Sequence, residues 1–487
     1  LKSLQDILYK TPIEAVKGDT NIEIESLHFD SRQVRQNDVF IAIRGEAADG
    51  HNYIEAAVAQ GAIAVICEVF PENISPEVIY IKYKDTREAL AIMASNYYEN
   101  PSENLKLVGI TGTNGKTTIS SLLFQMFKKL GYKVGLISTV VIKVNDKDYA
   151  TKLTTPDSLT INNYLKLMND AGVEYCFMEV SSHGIAQHRT SGLTFAGGIF
   201  TNLSHDHLDY HKSFAEYRDV KKRFFDELPK SAFAITNIDD KNGEYMLQNT
   251  KARKKTYGLK NLADYKVKIL EKSFSGLKLN INANEIWSTF IGDFNAYNLA
   301  AVYAATDQLG IDELENLQYL SSLKPVAGRF QHYVSNSGVN VIVDYAHTPD
   351  ALQNVLQTAN DIRTKNEELI TVVGCGGDRD KTKRPMMGKI AANFSSKVVF
   401  TSDNPRTEDP DEIIKDVEAG VEPQDFSKTL NVTLRDQAIK TACNLAAPGD
   451  IILIAGKGHE TYQEIHGLRR DFNDLKIVKS MLEQLNK

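Results

Sequence analysis

Cysteine is scarce in this chain. Cys67, Cys176, Cys375 and Cys443 are the four in 487 residues, and they are widely separated. Their spacing matches no metal cluster, and each sits among apolar residues, so they read as reduced core thiols of a cytoplasmic protein. Positive charge is not in excess. A formal charge of −7 argues against a general binder of nucleic acid or of membrane surfaces. No apolar run approaches the roughly 18 residues that a membrane-crossing helix needs. The opening Leu-Lys-Ser-Leu-Gln-Asp holds no apolar signal core and, beginning with Leu rather than Met, reads as a trimmed start. There is no repeat at solenoid period, no low-complexity tract and no Asn-Lys-x-Asp guanine-reading motif. What is present is a globular composition, 42% hydrophobic and 24% charged, on a chain long enough for about three domains.

The expected fold class is α/β with three domains. Residues 1–100 read as a small α/β domain, with strands at Val39–Ile43 and Ala62–Ile66 and a helical stretch near 53–60. Asn100-Pro101 makes a linker, because the residue before proline is pushed out of helix. Residues 101–329 read as a central P-loop-type domain with a mostly parallel sheet, including strands Tyr175–Val180 and Gly198–Thr201. Residues 263–290 look like a hairpin region ahead of a helix at 295–308. Residues 330–487 read as a Rossmann-like α/β domain with strands at Val341–Asp344, Leu369–Val373, Lys397–Phe400 and Ile451–Ala455. Its first helix starts at Thr348-Pro349, with proline at the first helical position.

The most informative segment is Gly109-Ile-Thr-Gly112-Thr-Asn-Gly115-Lys116-Thr117-Thr118. An apolar strand runs into a glycine-rich turn and then into a helix expected to end at Gly131. Gly112 and Gly115 let the backbone approach phosphate oxygens, and the turn and helix N–H groups point at the anion. Lys116 adds a charge, and Thr117 offers a hydroxyl to Mg²⁺. The glycine spacing departs from the strict P-loop pattern, which needs glycine at position 110.

Other chemistry-bearing segments lie at the ends of apolar strands. Glu179, in Met178-Glu-Val-Ser-Ser-His183, suits Mg²⁺ on the phosphates; an exposed strand-end carboxylate is the plainer alternative. Asn202–His211 packs His205, His207 and His211 with Asp206 and Asp209, which suits Mg²⁺ or proton handling beside ATP. It also approaches the histidine pattern of dinuclear metallohydrolases, with Tyr210 where a histidine would be required. Gly374–Pro385 sets glycines before Arg379, Lys381, Lys383 and Arg384, which suits an anionic ligand. Ser402–Arg406 and Ala455–Glu460 complete the set.

These motifs, in this order along nearly the whole chain, resemble the Mur ligase family and, within it, the MurE-type branch. The segments are 112–118, 179–184, 202–209, 344–349, 403–406 and 456–460. The resemblance implies one domain each for a UDP sugar, ATP and an incoming amino acid. It implies that ATP phosphorylates the D-Glu γ-carboxylate of UDP-MurNAc-L-Ala-D-Glu, and that an amine then attacks the acyl phosphate. It places ATP on Gly112, Thr113, Asn114, Gly115, Lys116, Thr117 and Thr118, with Asn298, Arg329 and Asp344 on the adenosine side. It places Mg²⁺, as two ions, on Thr117, Glu179, His207 and Lys221, the last carried as a carbamate. Lys116, His207 and Lys221 are the implied catalytic residues. UDP-substrate contacts fall on Phe29, Ser31, Glu46, Ala47, Ala48, Thr154, Thr155, Ser181, Gln187 and Arg189.

For the incoming amino acid, the resemblance implies meso-diaminopimelate. Arg406 follows Asp403-Asn404-Pro405, and a guanidinium there clamps a second carboxylate that L-lysine lacks. Arg379, Asp403, Asn404, Pro405, Gly456 and Glu460 are the other implied contacts, with Glu460 facing the distal ammonium. A cytoplasmic monomer is expected, without nucleic-acid or membrane partners. A folylpolyglutamate-synthase-like ligase, a metallohydrolase built on the histidines and a non-catalytic nucleotide switch are the competing readings.

Overall fold

The computed structural model describes residues 1–45, 48–204 and 213–487. Three large sheets follow one another along the chain. The first has five strands, in spatial order Ile13–Lys17, Ile79–Tyr83, Ala62–Cys67, Asp38–Ile41 and Leu27–His28. All neighbours but the first pair are parallel. The helix Thr86–Tyr97 covers this sheet and is capped by Asp85, whose carboxylate accepts from Arg87 N and Glu88 N. It ends ahead of Asn100-Pro101, where the chain turns into the short Pro101–Glu103 segment.

The central sheet has eleven strands and is mostly parallel. At its heart Lys106–Thr111 lies between Tyr175–Glu179 and Gly197–Phe200, parallel to both. The chain leaves Lys106–Thr111 towards one side of the sheet and later returns to the other. The carboxyl end of this strand is therefore a topological switch point, where open α/β sheets hold ligands. Helices Lys116–Lys129 and Asp293–Gln308 pack on one face through Ile119, Leu123, Leu299 and Val302. Helices Ser158–Asp170 and Phe214–Asp226 pack on the other through Ile161, Leu165, Tyr217 and Phe225. All four cysteines are buried thiols.

Residues 263–290 differ from the expected hairpin. They form three strands, Tyr265–Ser273, Gly276–Ile281 and Asn284–Ser288, that prolong the central sheet. The parallel pairing of Tyr257 with Tyr265 recruits them, and Val267, Leu277, Leu279 and Ile281 join the core under Asp293–Gln308.

The third sheet runs Gln331–Val334, Asn340–Asp344, Ile451–Ala455, Leu369–Val373, Lys397–Phe400 and Thr429–Asn431. Only the first strand is antiparallel to its neighbour. The carboxyl ends of four parallel strands, at Asp344, Ala455, Val373 and Phe400, thus lie along one edge. The third domain is seated on the second by Phe274, Ile291 and Phe294, which enter its core beside Phe330. No helix among the described residues is long and apolar enough to cross a membrane.

Candidate active site

The phosphate loop is built by close backbone approach. Gly112 has φ +146° and Gly115 φ +88°, and a Cβ on Gly112 would collide with Thr201 Oγ1. Thr201 and Asn202, just past Gly197–Phe200, hold the loop from the side. Thr113 N donates to Asn202 O at 2.8 Å, Asn114 N to Asn202 Oδ1 at 3.0 Å, and Thr201 Oγ1 to Asn114 O at 2.6 Å. Lys116 folds back onto the loop, donating from Nζ to Gly112 O at 2.9 Å and Thr113 O at 2.8 Å. The helix begins at Lys116, so the N–H groups of Lys116, Thr117 and Thr118 face the loop with no helical carbonyl to bond.

Asn298 presents Oδ1 to the side of Gly115 where a Cβ would stand. Arg329 Nη2 donates to Thr117 Oγ1 at 3.2 Å, and its guanidinium lies 4.6 Å from the Tyr345 ring centroid. Asp344 accepts from Phe330 N at 2.6 Å. Burial raises its carboxyl to about 6, against a smaller opposing pull from Arg329. Asn298, Arg329 and Asp344 therefore frame the loop from the helix Asp293–Gln308 and from the entrance to the third sheet. Asn114 Nδ2 reaches Asp350 Oδ2 at 3.2 Å, a second link between the two domains.

Glu179 is fully buried, which overturns the alternative of a solvent-exposed strand end. It pairs across from Ile110 in the sheet and accepts from Thr139 N at 2.8 Å and Thr139 Oγ1 at 3.1 Å. Lys221 is 1% exposed on Phe214–Asp226, with Nζ donating to Gly112 O at 3.1 Å. Its Nζ lies 4.8 Å from the Tyr217 ring centroid. Lys222, next to it, pairs instead with Asp226 at 2.7 Å. Lys221 thus bonds the loop and Thr117 follows directly after it, while Glu179 ends the strand beside the one that feeds the loop. His207, Glu46 and Ala47 lie outside the described residues.

The residues expected to meet the UDP substrate divide into two groups. Thr154, Thr155, Ser181, Gln187 and Arg189 are joined by hydrogen bonds. Thr155 Oγ1 donates to Glu179 O at 2.8 Å and accepts from Ser181 N at 2.9 Å. Arg189 donates to Thr155 O at 2.6 Å and to Gln187 Oε1 at 2.6 and 3.1 Å, and Thr139 Oγ1 donates to Thr154 Oγ1 at 3.0 Å. Phe29, Ser31 and Ala48 belong to the first domain, where Phe29 is 40% exposed and Asp30 accepts from Arg32 N. Ser95 Oγ donates to Gly192 O at 3.1 Å, holding helix Thr86–Tyr97 beside the Gln187–Gly192 segment.

In the third domain, Asp403, Asn404, Pro405, Arg406, Gly456 and Glu460 come together at the strand ends. Asn404 Nδ2 donates to Glu460 Oε2 at 2.9 Å. Gly456, at φ +117°, leaves room for Asp403 Oδ2. Arg406 has φ +53°, a conformation that costs a side-chain-bearing residue about 1 kcal/mol or more. It is held there by backbone bonds to Glu464 O and from His466 N, and its Nη1 donates to Gly377 O at 2.7 Å.

The cation run at 379–384 requires correction as an anion site. Arg384 is 1% exposed and pairs with Glu408 and Asp416 at 2.9 Å each. Lys381 also pairs with Glu408, at 3.1 Å, and Lys383 donates to His347 O at 3.1 Å. Arg384 beside Glu408 holds that carboxyl down at about 2. Arg379 remains exposed, bonded through its guanidinium to Asp378 O at 3.3 Å. Partners distant in sequence absorb the rest of the run.

Thr139 and Thr201 also build the site and are not among the candidates that sequence reasoning supplies, while Asn202 and Lys457 fall inside motif segments singled out above without a role of their own. Lys457 does carry a signal, as a lysine between two glycines at a strand end.

Three family models match the chain: Mur ligase family, catalytic domain, over residues 23–98; Mur ligase middle domain, over 110–306; and Mur ligase, glutamate ligase domain, over 328–458. A protein of Cytophaga hutchinsonii named UDP-N-acetylmuramoyl-L-alanyl-D-glutamate--2,6-diaminopimelate ligase is 50% identical over 99% of this chain and 100% of its own. One of the same name from Bacteroides thetaiotaomicron is 51% identical over 98% and 99%. A solved structure of a ligase of that name superposes with a TM-score of 0.70 at 32% identity, covering 100% of this chain and 99% of the other.

Proposed function

Because the chain belongs to the Mur ligase family, we propose that it joins meso-diaminopimelate to the D-glutamate of UDP-MurNAc-L-Ala-D-Glu, with cleavage of ATP to ADP and phosphate. Residues 1–100 and the Thr154–Arg189 network take the UDP substrate, residues 101–329 take ATP, and residues 330–487 take the amino acid. The protein works as a cytoplasmic monomer in the synthesis of peptidoglycan precursors.

A carboxylate is a poor electrophile, and transfer of the ATP γ-phosphoryl group to the D-Glu γ-carboxylate gives it a leaving group. The amine of the incoming amino acid attacks the acyl carbon, the tetrahedral intermediate expels phosphate, and the amine's proton is lost to a base or water. The loop N–H groups bind the phosphates. Lys116, resting on its own loop carbonyls, is positioned for a phosphate oxygen to compete for it and stabilises charge on the transferring group. Arg329, Asn298 and Asp344 orient the nucleoside.

Thr117 and Glu179 offer oxygen donors suited to Mg²⁺, which when bound would neutralise phosphate charge. His207 would join them. The Lys221 amine, buried beside Gly112 O, suits addition of CO2 with loss of its protons to water, giving a carbamate that would replace a cation with a further oxygen ligand.

The observation that carries the choice of amino acid is the presence of both charges at one strand edge: Arg406, bonded to Gly377 O with Arg379 near it around Gly376, for a distal carboxylate, and Glu460, held by Asn404, for a distal ammonium. The test is ADP release with UDP-MurNAc-L-Ala-D-Glu and either amino acid. Turnover should require meso-diaminopimelate, and equal kcat/KM for L-lysine would sink the assignment.

A further inference from the structure

Lys457 is wholly buried at the end of strand Ile451–Ala455. Its Nζ donates to Asn404 Oδ1 at 2.9 Å and to Glu460 Oε2 at 3.0 Å. A buried ammonium persists only with such partners, so these bonds are fixtures of the fold. They have two effects. Asn404 Oδ1 also accepts from Glu464 N at 2.9 Å, so two donors fix the amide oxygen and turn Nδ2 onto Glu460. Glu460 Oε2 is in turn occupied by Lys457 and Asn404, so its charge is compensated before any substrate arrives. One more cation stands close by: the Arg469 guanidinium lies 4.2 Å from the Tyr462 ring centroid, and Lys457 Nζ lies 5.6 Å from the same centroid.

We propose, resting on the reading of this edge as the amino-acid site, that Lys457 is a specificity-determining residue that rejects amino acids ending in a bare ammonium. A substrate whose far end carries both a carboxylate and an ammonium brings its own counter-charge and meets Arg406 with one and Glu460 with the other. A lone ω-ammonium, as on L-lysine, meets a carboxylate already neutralised 3.0 Å away and leaves Arg406 without an anion. It would bring a second ammonium to a carboxylate that is only 15% exposed, where water screens the repulsion between the two cations weakly. Arg406 selects the carboxylate; Lys457 removes the default attraction of Glu460 for any cation.

The test measures ADP release with meso-diaminopimelate and with L-lysine for the full chain and for Lys457→Gln, Lys457→Met and Lys457→Met/Glu460→Gln. In both single variants the kcat/KM ratio of meso-diaminopimelate to L-lysine should fall about tenfold or more, the scale of one charge-assisted hydrogen bond, with KM for ATP unchanged. The gain on L-lysine should vanish in the double variant, because the carboxylate that would receive it is gone. Glutamine keeps a donor in the buried position and carries the test if the methionine variant fails to fold. An unchanged ratio in a variant with wild-type KM for ATP overturns the role of Lys457. A gain in kcat/KM for L-lysine that persists undiminished in the double variant overturns it too, since Glu460 would then not mediate the effect. A wild-type protein inactive with meso-diaminopimelate would instead overturn the reaction assignment itself.

Discussion

Arg329 donates from Nη2 to the hydroxyl of Thr117, 3.2 Å away, and so ties the segment entering the third sheet to the first turn of the phosphate helix. The same guanidinium packs over Tyr345, whose backbone N bonds Gly328 O at 3.0 Å. The first turn of that helix and the placement of the third domain therefore share a residue.

Replacing Arg329 by methionine keeps the apolar packing on Tyr345 and removes the charge. KM for ATP should rise about tenfold, as expected for one charge-assisted hydrogen bond, with KM for the amino acid little altered. Steady-state kinetics with each substrate varied in turn checks this; a rise confined to the amino acid would contradict it.

Asp344 gives a pH signature. Its carboxyl ionises near 3.8 in the unfolded chain but is raised by burial to about 6 in the folded one. The folded state binds the proton more tightly, so the destabilisation is absent below the lower value, grows between the two and is complete above the upper. Asp344→Asn should gain about 2 kcal/mol near pH 7.5 and progressively less towards pH 4. Thermal melting across that range would show the two midpoints converging; a gap that stays constant with pH would rule out the buried carboxylate as its source.

Gly112→Ala places a methyl group against Thr201 Oγ1 at a φ of +146°, which alanine rarely adopts. ATP binding measured by calorimetry should be lost or weakened at least about a hundredfold, because the loop must shift away from Asn202. Binding of the UDP substrate should survive, since Thr155, Ser181 and Arg189 are held by a separate network. Wild-type nucleotide affinity would exclude this loop as the phosphate site.

Arg406→Ala removes the guanidinium bonded to Gly377 O and the distal-carboxylate contact proposed for it. KM for meso-diaminopimelate should rise by about two orders of magnitude, the scale of a bidentate charge-assisted pair, while KM for ATP stays put. An unaltered KM for the amino acid would place its far end elsewhere.

Much of the frame is legible in the sequence because it is locally encoded. An apolar strand, two glycines and a lysine at a helix start declare the strand–turn–helix at 106–129, and Thr348-Pro349 declares the helix Pro349–Ile362, with Thr348 Oγ1 accepting from Ala351 N. Strand-end motifs are recognisable one by one. Their convergence at one sheet edge arises from parallel pairing, which no single stretch contains. The burial of Glu179 depends on Thr139, forty residues earlier, which is invisible as a partner until the strands are laid side by side. Arg384 misleads for the same reason: Glu408 and Asp416 neutralise it from beyond the next strand. The meander at 265–288 reads as a hairpin because its recruitment into the central sheet rests on a short parallel pairing, Tyr257 with Tyr265 and Gly258 with Lys266.

At Gly328 the connecting chain runs against the backbone of Gly458 and His459, so closely that a Cβ would collide with both. Gly328 O also accepts from Tyr345 N. Main chain bears on main chain at this point, with no side chain between them to bend or repack. A joint of this kind has almost no compliance. Turning the third domain against this connection would bear directly on residues 457–460, the loop proposed to meet the amino acid.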